Sequence, residues 1–92
     1  MGGPYLEGEK ALERLGDLTE LICRIAEGGG IGHEDETLLE ELLRDMGSAL
    51  RERDVPKAKK LVTRMLSDVL GYDQVRARFV MQNHLNKNAG WD

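Results

Sequence analysis

Apolar residues recur along this chain at steps of three and four, and that spacing leaves little but α-helix open to it. From Leu6 to about Glu27 the series Ala11, Leu15, Leu18, Ile22 and Ile25 advances alternately by four and three, with Leu12 and Leu21 widening it. Only a helix gathers such positions on one face. A stripe this broad belongs to a helix in a bundle. A second series, Leu39, Leu42, Met46 and Ala49, is flanked by Leu38, Leu43 and Leu50. A third gathers Ala58, Leu61, Val62, Met65, Leu66, Val69 and Leu70.

The breaks between these series are equally plain. The run Gly28-Gly29-Gly30-Ile31-Gly32 ends the first helix, and Glu34, Asp35 and Glu36 follow it. Acids suit the first turn of a helix because the macrodipole is positive there. Pro56 can open a helix but not continue one, and of its two neighbours Asp54 has better capping chemistry than Val55. Gly71 stops the third helix and Asp73 can cap a fourth. The expected architecture is therefore all-α: a small four-helix bundle with helices at about 6–27, 34–53, 56–70 and 73–87. It forms a single domain over 1–92, with residues 1–5 as a flexible start and Pro4 placed to open the first helix. Gly16 lies off the main seam, where close approach of another helix or a bend would explain it.

Composition then limits the core. The only aromatic residues are Tyr5, Tyr72, Phe79 and Trp91, so packing falls to Leu, Ile, Val and Met. A chain of 92 residues buries a modest fraction of its surface. Three wide stripes exceed what so short a chain covers comfortably, and completion by self-association is expected. The fourth helix points the same way. Tyr72, Val75 and Phe79 share one of its faces, Met81 and Leu85 lie roughly opposite, and Val80 sits between. A helix apolar on several sides is either surrounded or lent to a partner. Tyr72, Val75, Phe79, Met81, Leu85 and Trp91 are the candidate partner-interface residues.

Chemistry finds little to stand on. The glycine run lacks the Lys-Ser or Lys-Thr of a phosphate loop and is followed by acids that would repel a phosphate. His33 and His84 lie far apart and read as polar surface residues, and no Glu-x-x-His pair of the di-iron kind occurs. Cys23 reads as a half-buried small hydrophobe, since adjacent Arg24 points elsewhere on a helix. The acids form solvated faces rather than a pair suited to proton transfer. No catalytic residue, cofactor or metal site is assigned, and the expectation is a non-enzymatic protein. No apolar run reaches the ~18 residues of a membrane span. The first residues lack the pattern of a secretory signal, Gly2 lacks a myristoylation context, and the lone Cys23 favours a reducing compartment. These place the chain in the cytoplasm as an expectation.

Charge is unevenly spread. Residues 1–47 carry twelve acids and four bases, and residues 48–92 carry five acids and nine bases. Either acidic helices pack beside basic ones within the bundle, or a basic surface is offered to an acidic partner. The leading expectation is a protein–protein interaction module, an adaptor or regulator that forms a homodimer and also engages another protein. The alternative is a small DNA-binding regulator. The last third has a helix-turn-helix flavour, and Gln74, Arg76, Arg78 and Lys87 would reach nucleic acid. Against it stand the acidic chain as a whole, the length of helix three, and Ala77, small where a larger aliphatic is expected.

Overall fold

The structure, a computed structural model, describes residues 4–87. Four helices follow in order: α1 (Gly8–Gly29), α2 (His33–Glu52), α3 (Val55–Arg64), which runs on into a π-helical turn (Met65–Val69), and α4 (Gln74–Leu85). The all-α bundle expected from the spacing is the fold observed. The helix α3 is its centre, touching α1, α2 and α4, whereas α1 and α2 meet only weakly.

The two aspartates act as expected. Asp54 accepts the Lys57 N–H at 3.1 Å with Pro56 in the first turn of α3, and Asp73 accepts the Arg76 N–H at 2.7 Å. Each side chain satisfies a donor that the helix start leaves open. Between α2 and α3 only Arg53 and Asp54 intervene, and Arg53 takes a left-handed φ of 55° to turn the chain. At the other end of α3, Gly71 adopts φ 80° and the Tyr72 N–H donates to the Leu66 carbonyl, closing the helix.

One core runs through all four helices. It holds Ala11, Leu12, Leu15, Leu18, Ile22 and Ala26 from α1, and Leu39, Leu42, Met46 and Ala49 from α2. From α3 and its π turn come Ala58, Leu61, Val62, Met65, Leu66 and Val69, and from α4 Ala77, Met81 and Leu85. Buried Thr19 sends its hydroxyl to the Leu15 carbonyl at 2.7 Å, which satisfies it without a partner helix.

Pro4 does not open α1; the helix begins at Gly8. Pro4 instead accepts the Lys87 N–H at 2.8 Å, while the Leu6 N–H donates to the Leu85 carbonyl at 2.7 Å. Tyr5 and Asn86 pair in antiparallel fashion between them. This clasp holds the entry to α1 against the exit from α4. The spacing places Leu21 and Ile25 on the α1 seam, yet both are exposed. Of the two explanations offered for Gly16, close approach of another helix is ruled out, because a Cβ built there meets nothing within 4 Å. Ala77, small where a larger aliphatic is expected, is fully buried in the core.

Candidate functional site

The side chains of α4 sort into rows around its axis. Ala77, Met81, His84 and Leu85 turn inward and are buried. Next to them run Gln74, Arg78 and Gln82, spaced by four, and beyond these the pair Val75 and Phe79. Val75 is 81% exposed and Phe79, the only phenylalanine in the chain, is 68% exposed. Burying a Phe side chain is worth about 1.5–3 kcal/mol, which this helix leaves unrealised. Tyr72, half-buried, lies at the base of α4 with the Arg76 guanidinium 4.5 Å above its ring. That stack holds Arg76 apart from the Gln74–Arg78 row.

The Gln74, Arg78 and Gln82 row forms one wall of an open groove of about 700 Å³. Lys59, Lys60 and Arg64 of α3 form the other wall, and Met81 contributes to its lining. Thr63 and Ser67 add hydroxyls, and among the described residues Asp68 is the one acid, its carboxylate 3.4 Å from the Arg64 Nε. Lys59, Lys60 and Arg78 join no ion pair among the described residues.

The structure thus divides the residues singled out from the sequence. Val75 and Phe79 stand together on the surface with Tyr72 beside them. Met81 and Leu85 are buried in the chain's own core, because the helix has turned that side inward, and of the two Met81 reaches the floor of the groove. Trp91 lies outside the described residues. Of the basic set, Gln74 and Arg78 line the groove, Arg76 caps Tyr72, and Lys87 lies in the clasp. Lys59, Lys60 and Arg64 had not been singled out. Their signal was the i, i+4 row of Lys60 and Arg64 facing the Gln74–Arg78–Gln82 row.

Cys23 sits half-buried beside a smaller depression of about 240 Å³ between α1 and α2, with Glu27, Glu36 and Glu40 at its edge. Burial pushes its thiol above the ordinary value, and Glu27 and Glu20 push it further, so the thiolate that a nucleophile needs is disfavoured. Among the described residues no group of three or more His, Cys, Asp or Glu side chains is placed to hold a metal ion. Among the described residues no helix is long and apolar enough to cross a membrane.

His84, which the sequence places on the surface, is instead buried on the inner side of α4. Burial holds its imidazole below the ordinary 6.5, with Arg14 adding to the effect; a backbone hydrogen bond at Val80 and the Asp17 carboxylate oppose it. Below pH 6.5 the unfolded chain takes up a proton that the folded chain declines, so His84's contribution to stability is complete above 6.5 and falls as pH drops toward the folded value. Urea midpoints measured between about pH 7.5 and 5 should therefore fall, and the fall should shrink in His84→Gln. An unchanged profile in the variant would show that other groups set the acid sensitivity.

Comparison of the chain with protein-family models, with curated proteins and with solved structures finds no match.

Proposed function

We propose that this protein is a non-enzymatic helical interaction module, an adaptor or regulator that self-associates as a homodimer through the outer side of α4. The observation that carries this is the exposure of Val75 and Phe79, one helical turn apart on the same face. An isolated exposed apolar residue is ordinary, but an exposed phenylalanine with a second apolar residue at i, i+4 makes a patch of the kind an interface core buries. The two lie beside polar and basic side chains that would form the rim.

Phe79→Asp tests it. The residue is mostly exposed, so the helical far-ultraviolet signal should be kept. A hot-spot loss of about 2 kcal/mol would weaken the dimer roughly 30-fold. Sedimentation equilibrium on both proteins measures this. A wild-type chain that is monomeric throughout, or a variant that dimerises as well as wild type, would sink the reading.

A second reading, a small DNA-binding regulator, draws support from the basic groove that Gln74 and Arg78 share with Lys59, Lys60 and Arg64. What weighs against it is again α4. A helix set in a major groove would have Val75 and Phe79 on the side that meets phosphates and base edges. Absorbance at 260 and 280 nm across a sizing column separates the two, since nucleic acid held by phosphate contacts is stripped by salt.

A further inference from the structure

The charge asymmetry of the sequence is hardly discharged inside the bundle. Among the described residues the ion pairs are Glu9 with Arg53 at 3.0 Å, Glu52 with Lys57 at 3.9 Å and Asp68 with Arg64 at 3.4 Å. Only Glu52 with Lys57 joins the acidic helix α2 to the basic helix α3. Helix α2 holds seven acids and two bases, whereas α3, its π turn and α4 together hold six bases and one acid. Two surfaces of opposite sign are therefore left facing solvent on one molecule.

Their patterns match as well as their signs. On α2, Glu34, Leu38, Glu41 and Asp45 step by four, three and four, which places them on one stripe. The three acids are exposed and Leu38 is half-buried among them. The stripe continues to Glu52 and spans about 27 Å at the helical rise. On the other surface, Lys60 and Arg78 stand on the two walls of the groove, with Val75 and Phe79 alongside on α4. Acids beside a leucine are offered by one face, and cations beside a phenylalanine by the other.

We propose that the occupant of the α3–α4 groove is the acidic stripe of α2 from a second copy of this chain. Glu41 and Asp45 meet Lys60 and Arg78, while Leu38 packs on Phe79. A two-fold axis repeats the contact, so each copy both gives its α2 stripe and receives one. This rests on the homodimer reading and specifies its geometry. Electrostatic matching of this kind fixes register and rejects wrong partners.

The test is a charge exchange between two variants. In the groove variant, Lys60→Glu and Arg78→Glu, both contacts set acid against acid. In the stripe variant, Glu41→Lys and Asp45→Lys, both set base against base. Each alone should dimerise at least ~10-fold more weakly than wild type, and an equimolar mixture should recover a heterodimer, because mixing restores opposite charges at both contacts. Glu13→Lys with Glu20→Lys, the same charge change on α1, should leave the wild-type affinity within about threefold. Sedimentation equilibrium at about 50 and 500 mM salt reads every sample, and the wild-type dimer should weaken at the higher salt.

If either charge variant dimerises like wild type, or the mixture fails to recover, the groove does not hold α2 of a second copy. Such a result would leave the dimer itself, and the effect of Phe79→Asp upon it, standing. Nucleic acid on the wild-type peak that salt removes would likewise overturn the assignment, giving the groove to a phosphate backbone. A wild-type monomer at every salt concentration would remove the homodimer reading and this inference together.

Discussion

Leu15→Ala is expected to destabilise the fold by about 2–5 kcal/mol, the range for deleting a buried leucine side chain from a core that cannot collapse around the loss. Leu15 is 0% exposed near the middle of α1, and α1 packs on both α3 and α4. Its carbonyl also receives the Thr19 hydroxyl, so backbone and side chain are both engaged. A domain of this size has a total stability of roughly 5–14 kcal/mol, so the loss is a large part of the whole. Urea unfolding followed by circular dichroism should show a lower midpoint with an unchanged slope. Leu15→Met keeps the volume and should cost less than about 1.5 kcal/mol. A Leu15→Ala cost under about 1 kcal/mol would mean that the interior behaves as a loose assembly.

Ala58→Leu works in the opposite direction and should also be costly, by about 1–3 kcal/mol, since overpacking forces neighbours off their rotamers. Ala58 is 0% exposed in the second turn of α3, the helix that every other helix touches. The change barely alters helix propensity, so a measured loss reports crowding. The tight Arg53–Asp54 link leaves α2 and α3 little room to move apart. The same urea experiment decides it. A neutral or stabilising result would show unfilled space beside Ala58.

Much of this fold was legible because caps and stripes are local. Asp54 and Asp73 declared the starts of α3 and α4, and the α2 series of Leu39, Leu42, Met46 and Ala49 is buried as its spacing implied. Leu21 and Ile25 were misread because periodicity gives the direction of a face but not the length of its cover. Helix α4 has 12 residues against the 22 of α1, about 18 Å against 33 Å. Because the clasp joins Leu6 to Leu85, the short helix falls away before the end of the long one.

The π turn had a faint signal. The doublets Leu61-Val62, Met65-Leu66 and Val69-Leu70 repeat every four residues, more than the 3.6 of an α-helix, and would drift off the core face. Widening the last turn, with the Leu70 N–H donating to Met65, returns Met65, Leu66 and Val69 to the interior. For α4 the sequence could not choose between two apolar sides. The fold chose the side of Ala77, Met81, His84 and Leu85, and left Val75 and Phe79 outside. The basic groove needed two helices brought together, which no single stretch of sequence displays.

The clasp between Pro4–Leu6 and Leu85–Lys87 makes the two ends of the bundle share one fate. Chain ends usually fray independently, each against its own neighbours. Here the bonds that hold the approach to α1 are the same bonds that hold the exit of α4. When either strand of the clasp peels away, the other loses the same two backbone bonds.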